Sequence, residues 1–322
     1  MKLRECLEQG AAVLSDGPHS DRARHDAETL LLHHIGKNKA WLIAHGDEEF
    51  AGCSAIGYAT LVERRRKGEP IQYITGVCEF YGLPFRVTPD VLIPRPETEH
   101  LVEQALALAT RLGLNSSPRT QGSLKDVGAR ETLDAPSIPR SLQNRWESRI
   151  PDAPPAIVDV GTGSGAIAIA LATQLPNAII TASDISEPAL SVARENATRN
   201  QLAGRIRFLQ GDLLSPVAGE HFEIIVSNPP YVPNTDRALI AVEVREHEPH
   251  VALFGGHDGL DIYRRLIPAA HAALVSGGFL AFEFGFSQKP DIELLLQNAG
   301  FQNIEFIHDL QGIPRVASAQ RP

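Results

Sequence analysis

Apolar positions change their period along the chain, and the change divides it into three stretches. In the first, apolar residues recur at helical spacing over residues 3–14. Ser20 is placed to cap a helix running through Ala23, Ala27, Leu30, Leu31 and Ile35, with Gly36 to stop it. Residues 41–45 and 55–67 fit two more short helices, the second ended by Gly68. Phe80 and Tyr81, then Phe85 and Val87, flank Gly82 and Pro84 and predict a hairpin. Residues 97–112 predict an amphipathic helix with Pro96 near its start. The second stretch, residues 114–155, is polar, contains prolines and has no clear period, which predicts a flexible insertion. From Ala156 onward, apolar runs of strand length alternate with helical patterns. Strands are expected at 156–160, 178–183, 205–210, 222–227, 278–284 and near 303–307, and helices at 165–175, 187–200, 259–275 and 288–299.

Such alternation predicts an α/β fold, a parallel sheet with helices on both faces, whose ligands sit at the carboxyl ends of the strands. The expected organisation is a helical N-terminal domain over 1–75, a hairpin linker over 76–96 and the α/β domain over 97–322.

Composition narrows the class. The chain has 322 residues, 43% hydrophobic and 21% charged, as in ordinary soluble proteins. No apolar run approaches bilayer length, and the charged start MKLRECLEQG does not read as a secretory signal, so no membrane is expected. Cys6, Cys53 and Cys78 are scattered and odd in number, which points to a reduced cytoplasmic setting rather than a disulfide framework. The net charge of −9 argues against a nucleic-acid partner, which calls for a basic face.

Several charged clusters read as structural. The run Arg64, Arg65, Arg66, Lys67 closes a helix, complements its dipole and is expected to be solvated. His247, His250 and His257 lie in a loop without a cysteine partner, and no metal site is expected there. Glu243, Arg245, Glu246 and Glu248 form either an ion-pair network at the rim of a pocket or a solvated loop. Arg95 and Glu97, beside prolines, are expected to be structural. Ser227 has no Gly-x-Ser-x-Gly elbow around it and is not expected to be a nucleophile.

Two motifs carry chemistry. The first is the buried-strand run Ile157-Val158-Asp159-Val160 followed by Gly161-Thr162-Gly163-Ser164-Gly165. Gly161, Gly163 and Ala166 formally match the dinucleotide fingerprint, and Asp184, ending the next strand, can accept both ribose hydroxyls of either a dinucleotide or a smaller nucleoside. The third glycine at 165 favours the smaller ligand, such as S-adenosylmethionine, which has no pyrophosphate needing a helix N-terminus. The Asp159 carboxylate beneath the loop is tolerable near a sulfonium and unfavourable near a pyrophosphate.

The second motif is Asn228-Pro229-Pro230-Tyr231, at the end of the fourth strand and on the same sheet edge as the glycine loop. The Asn228 side-chain oxygen can accept one hydrogen of an NH2 group and the Pro229 carbonyl the other. The prolines make the segment rigid, and Tyr231 can lie over a planar target. An amide nitrogen is a poor nucleophile because its electrons are delocalised into the carbonyl. Accepting its hydrogens pushes density back, and orientation against a methyl donor supplies much of the rest.

With these residues in view, the chain resembles the class I methyltransferases that act on planar nitrogens. Flanking segments narrow the resemblance to the HemK/PrmC-type glutamine methyltransferases. They are Gly68-Glu69-Pro70-Ile71-Gln72-Tyr73-Ile74-Thr75-Gly76, Glu79-Phe80-Tyr81-Gly82, Leu92-Ile93-Pro94-Arg95-Pro96-Glu97-Thr98-Glu99, Glu246-His247-Glu248-Pro249, Ala252-Leu253-Phe254-Gly255-Gly256 and Asp258-Gly259-Leu260. The resemblance covers about 68–310 apart from 114–155, and fits a helical N-terminal domain. It implies a Rossmann-like sheet, S-adenosylmethionine as cofactor, and methylation of the glutamine amide nitrogen in the Gly-Gly-Gln loop of class I peptide-chain release factors. It further implies that Gly161, Thr162, Gly163, Ser164 and Gly165 line the methionine part of the cofactor and that Asp184 holds its ribose. The turn with Asp212 and Leu213 would flank the adenine, and Asn228, Pro229, Pro230 and Tyr231 would hold the glutamine. Leu213 departs from the family, where an aromatic is common.

Other readings remain at this level. The same chemistry fits a ribosomal-protein glutamine. An adenine amino-methyltransferase shares the Asn-Pro-Pro-Tyr logic, but the acidic chain lacks a target-recognition domain. A nicotinamide-dependent oxidoreductase or a non-catalytic cofactor-binding module leaves Asn228 to Tyr231 without a task.

Overall fold

The computed structural model describes residues 1–50, 53–114 and 154–322, so the expected insertion at 114–155 lies almost wholly outside the described residues. Helices α1 (Leu3–Ser15), α2 (Ala23–Ile35), α3 (Lys39–His45), α4 (Cys53–Arg66) and α5 (Ile71–Thr75) come first. Ser20 does not cap α2. It opens a separate 3-10 turn, Ser20–Arg22, and the residue before α2 is Arg22, which makes no side-chain capping bond. Gly36 ends α2 as expected, in the left-handed conformation (φ 64°) that a side chain disfavours. Asn38 caps α3 by accepting from the Trp41 amide at 2.9 Å.

The hairpin follows as β1 (Val77–Phe80) and β2 (Leu83–Arg86). Its two turn residues, Tyr81 (φ 53°) and Gly82 (φ 71°), are both left-handed, as tight hairpin turns require. A 3-10 turn at Pro96–Thr98 leads into α6 (Glu99–Arg111), whose inner face of Leu101, Val102, Ala105, Leu108 and Ala109 is fully buried. Then come β3 (Ala156–Val160), α7 (Ala166–Gln174), β4 (Ile179–Asp184), α8 (Glu187–Arg199), β5 (Ile206–Gln210), β6 (Phe222–Ser227) and α9 (Val242–His247). The chain ends with α10 (Asp261–Ala273), β7 (Leu274–Glu283), α11 (Lys289–Asn298), β8 (Gln302–His308) and β9 (Pro314–Gln320).

Seven strands form one sheet in the order β5-β4-β3-β6-β7-β9-β8. The pairs from β5 through β7 are parallel, while β9 runs antiparallel to both β7 and β8. The sheet is therefore mixed, not wholly parallel. Strand β9 was not expected: its buried residues include Ala317, Ser318 and Ala319, too small to give an apolar signature. Each face of the sheet has its own core. Ile157, Ile180 and Ile224 pack with α6 and α7, whereas Val158, Val160, Ile225 and Leu280 pack with α10 and α11. Among the described residues, no helix is long and apolar enough to cross a membrane.

The chain divides into two compact units. One comprises Met1–Cys78, Arg86–Ile93 and Arg237–His250; the other comprises Glu79–Phe85, Pro94–Asp236 and Val251–Pro322. The first has a core of Leu3, Leu7, Leu30, Leu31, Tyr58 and Val62. It also corrects the reading of the basic run. Arg65 is 2% exposed: its Nε donates to Asp26 Oδ2 at 2.7 Å and its Nη1 to Glu243 Oε2 at 2.9 Å. The flanking Arg64 and Arg66 form partly exposed pairs with Glu69 and Glu63. Thus Glu243 belongs to an ion-pair network, while the neighbouring Arg245–Glu246 pair is open to solvent on the Glu246 side.

Candidate functional site

Strand register brings the two motifs together. Val160 pairs with Ser183 on one side and with Ser227 on the other. The residues that follow, Gly161, Asp184 and Asn228, therefore leave three adjacent strands at one level, with strands about 4.8 Å apart. This is where the strand order reverses, from β3 outward to β5 and back across to β6, the place such sheets offer a ligand. The strand ends are tied together. Ser227 Oγ donates to the Val160 carbonyl at 2.7 Å, and the Gly161 and Thr162 amides donate to the Ser183 carbonyl at 2.8 and 3.0 Å. Ser227 is thus a brace for the sheet edge.

The loop after β3 is built for close approach. Gly161 and Gly163 have φ of 73° and 55°, and a Cβ on either would meet nothing within 4 Å, so the space over the loop is open. Gly165 serves packing instead: a Cβ there would stand 3.1 Å from both Ala193 and Ile169. Asn196 Nδ2 on α8 donates to the Ser164 carbonyl at 2.9 Å and holds the loop from the side. Asp184 accepts from the Gly163 amide (2.8 Å, Oδ2) and the Ser186 amide (2.9 Å, Oδ1), and each oxygen keeps a lone pair for a hydroxyl. Burial raises the Asp184 pKa, and these amides oppose the shift.

Beneath the loop, Asp159 Oδ2 accepts from Thr162 Oγ1 at 2.6 Å and from the Ala168 amide at 3.2 Å. Its Oδ1 is buried and has no hydrogen-bond partner among the described residues. Burial pushes this carboxyl up to about 7, against the pull of its two donors. An open glycine cradle, an orphaned carboxylate oxygen below it and a ribose acceptor on the next strand fit a cationic nucleoside such as S-adenosylmethionine.

The turn after β5 joins this edge through the Gly211 amide, which donates to the Asp184 carbonyl at 2.9 Å. Leu213 is left-handed (φ 51°), its carbonyl accepts from Ser183 Oγ at 3.1 Å, and its side chain packs against the core. Asp212 pairs with Arg265 of α10 at the surface. A cavity of about 460 Å³ opens beside the turn, lined by Leu213, Leu214, Val217, Arg265, Ala269 and Ala273 among others.

The Asn228–Tyr231 segment is held from two directions. In front, Asn228 Nδ2 donates to Thr98 Oγ1 at 3.0 Å, Thr98 Oγ1 donates to Glu283 Oε2 at 2.6 Å, and the Tyr231 hydroxyl donates to Glu283 Oε1 at 3.1 Å. Thr98 and Glu283 are each 3% exposed. Burial raises the Glu283 pKa, and Thr98 and Tyr231 oppose it; burial, with Glu283 alongside, raises Tyr231. Behind, the Gln288 amide donates to the carbonyls of Tyr231 (3.1 Å) and Gly259 (3.2 Å). A Cβ at Gly255 would stand 2.5 Å from the Pro230 carbonyl oxygen, and one at Gly259 would stand 2.2 Å from that of Tyr231. Pro229 is buried while Asn228 and Pro230 are partly exposed, so the segment presents Asn228 at the edge.

Thr98, Glu283 and Gln288 had no role assigned from sequence. Glu283 had a visible signal, a single carboxylate inside the apolar run Gly278-Phe279-Leu280-Ala281-Phe282-Glu283-Phe284, since a buried charge demands partners. Thr98 sits in the Pro-Arg-Pro-Glu-Thr-Glu segment, next to the charged Glu97 and without a pattern of its own.

Comparison with known proteins agrees with this geometry. Residues 5–76 match the family described as PrmC N-terminal domain, and residues 146–246 match the methyltransferase small domain. The chain is 38% identical to the release factor glutamine methyltransferase of Koribacter versatilis (strain Ellin345), over 100% of this chain and 99% of that protein. It is 36% identical to that of Escherichia coli (strain K12), over 98% of this chain and 95% of the other. Among solved structures, the hMettl16 catalytic domain in complex with the MAT2A 3′UTR hairpin 6 covers 84% of this chain and 82% of its own at a TM-score of 0.51. At 14% identity, that likeness concerns the fold alone.

Proposed function

The chain belongs to the release factor glutamine methyltransferase family, and we propose that this site methylates the side-chain amide nitrogen of the glutamine in the Gly-Gly-Gln loop of class I peptide-chain release factors, with S-adenosylmethionine as donor. The observation that carries the reading is the orientation of Asn228. Its nitrogen is engaged by Thr98 Oγ1 at 3.0 Å, which leaves its oxygen as the acceptor beside the glycine loop. Bound S-adenosylmethionine supplies an electrophilic methyl group on a positively charged sulfur.

The residues of the chain do the rest by position and charge. Gly161 and Gly163 give backbone access, Thr162, Ser164 and Gly165 shape the cradle, and Asp184 receives the ribose hydroxyls. Asp212 and Leu213 flank the base. Asn228 Oδ1 and the Pro229 carbonyl accept the two amide hydrogens, which orients the nitrogen's out-of-plane electrons and raises their density. Pro230 keeps the segment rigid, and Tyr231, anchored through its hydroxyl to Glu283, limits the tilt of the carboxamide. Transfer would form the nitrogen–methyl bond as the sulfur–methyl bond breaks, leaving a neutral thioether, and the amide would give up one proton to solvent. The first unit, with its exposed Ile43 and Ile56, is assigned to holding the release factor.

The test uses radiolabelled donor with an intact class I release factor, the same factor with its loop glutamine replaced by alanine, a ribosomal-protein fraction and undermethylated DNA. Label on the intact factor alone is expected. Asn228→Ala should lower transfer about 100-fold or more, as loss of an aligned electrostatic partner does, while donor affinity stays within a few-fold. Transfer that survives Asn228→Ala, or label on DNA, overturns the reading.

A further inference from the structure

We propose that Thr98 and Glu283 are positioning residues that fix which end of the Asn228 carboxamide faces the substrate. The inference rests on the role given to Asn228 above and goes one step further back, to what sets its polarity. An asparagine side chain is nearly symmetric in shape, so packing alone does not choose between presenting oxygen and presenting NH2. Presenting NH2 to the NH2 of a glutamine would place donor against donor.

Counting donors resolves the choice. An ionised carboxylate only accepts. Glu283 has one hydroxyl on each oxygen, Thr98 at 2.6 Å and Tyr231 at 3.1 Å. Thr98 has a single hydroxyl proton, and it is spent on Glu283. Only lone pairs remain on Thr98 Oγ1, so the Asn228 atom 3.0 Å away must be the N–H donor, Nδ2. Oδ1 is then turned to the open side. One negative group at the end of a chain of hydrogen bonds thereby dictates the polarity of a side chain two links away.

Burial is the largest influence on Glu283 and raises its pKa, with Glu97 adding to it; the Thr98 and Tyr231 hydroxyls, and after them Arg315, act the other way and favour the carboxylate. The carboxylate cannot swing away easily. It ends β7, and its own backbone carbonyl accepts from the Tyr263 hydroxyl at 2.8 Å, from a side chain of α10 that is fully buried. Thr98 is equally fixed, at the close of the 3-10 turn whose first residue is Pro96. Neither residue needs to touch the substrate.

The test compares Thr98→Val, Thr98→Ser, Glu283→Gln and Asn228→Ala in the full chain. It measures kcat and KM on a class I release factor, donor affinity by calorimetry, and melting temperature. Thr98→Val keeps the shape and removes the relay, and should lower kcat about 10- to 100-fold, the range of one misdirected buried hydrogen bond. Donor affinity should stay within about two-fold. Thr98→Ser keeps the hydroxyl and should restore most of kcat, which a purely packing role for the threonine methyl would not allow. Glu283→Gln is nearly isosteric but can donate to Thr98, which frees the threonine proton to turn Asn228 around; it should resemble Thr98→Val. Adding Thr98→Val to Asn228→Ala should cost nothing further. If Thr98→Val keeps wild-type kcat while Asn228→Ala is inactive, this inference fails and the proposed function stands. If Thr98→Ser falls with Thr98→Val, or the double variant loses activity additively, the relay is refuted. If Asn228→Ala is itself active, the proposed function has failed first. Should Glu283→Gln not fold, the valine and serine pair at 98 decides the matter.

Discussion

Asp159 shows how much a single side chain at this edge can be asked to do. One oxygen is bonded twice and the other is bare, and burial outweighs the two donors, pushing the carboxyl from 3.8 up to about 7. Between those values the folded chain keeps a proton that the unfolded chain has released. The stability this group contributes is complete below pH 3.8 and is lost as pH rises toward about 7, on the order of a few kcal/mol in all. The neutral variant Asp159→Asn cannot lose it. The melting temperature of Asp159→Asn relative to wild type should therefore rise from pH 5 to pH 8 and level off beyond. A cationic ligand over the loop favours the ionised form, so wild-type donor affinity should strengthen with pH over the same window while that of Asp159→Asn stays flat. Parallel melting curves for the two proteins across this range would show that Asp159 is not titrating. The chemistry of this residue was legible from its place beneath the glycine loop. Its missing partner was not, because that depends on what every surrounding element fails to supply.

At the level of elements, the segments that carry chemistry could be read because their demands are local. A left-handed turn asks for glycine wherever it occurs, and Asn-Pro-Pro-Tyr states its own stiffness. What braces these segments could not be read, because it arrives from far along the chain. Thr98 and Glu283 are 185 residues apart, and Gln288 reaches Tyr231 across 57. The same holds for β9, whose small residues look like nothing until they sit between β7 and β8. Gly259 makes the bracing testable. A methyl group there would meet the Tyr231 carbonyl oxygen at 2.2 Å and the Gln288 amide at 2.6 Å, on backbone with φ of 78°. Gly219 has a similar φ of 83° but open space around it. Gly219→Ala should therefore cost only backbone strain, about 1–2 kcal/mol, and leave transfer intact. Gly259→Ala should cost about 3 kcal/mol or more and lower kcat at least 10-fold, since the backbone of Tyr231 must move. Equal losses in the two variants, by chemical denaturation and by turnover, would mean that the close approach behind Tyr231 is immaterial.

Across the whole molecule, the order of the chain differs from the order of its units. The segment Arg237–His250, a few residues beyond Tyr231, folds with the N-terminal helices rather than with the sheet. Its fastening is Glu243, which receives Arg65 at 2.9 Å while the same guanidinium holds Asp26 at 2.7 Å and the Glu69 carbonyl at 3.0 Å. Read as sequence, Arg65 was one of four cations at a helix end, and the two carboxylates that claim it are 39 and 178 residues away. Because Arg65 and Asp26 are 2% and 1% exposed, removing one charge leaves the other buried without its partner. Arg65→Met should thus lower stability by about 3–5 kcal/mol, whereas Arg66→Met, on a partly exposed pair, should change it by less than about 1 kcal/mol. Without Arg65, Glu243 keeps, among the described residues, only His19 Nε2 at 3.0 Å, so the segment Arg237–His250 is loosened, and at a temperature where Arg65→Met remains folded its transfer rate should fall more than its donor affinity. That separation is what distinguishes an effect of the Arg237–His250 segment on the reaction from a general loss of stability. If donor affinity and turnover decline together, or if Arg65→Met turns over as fast as Arg66→Met, the anchoring of this segment contributes nothing to the reaction.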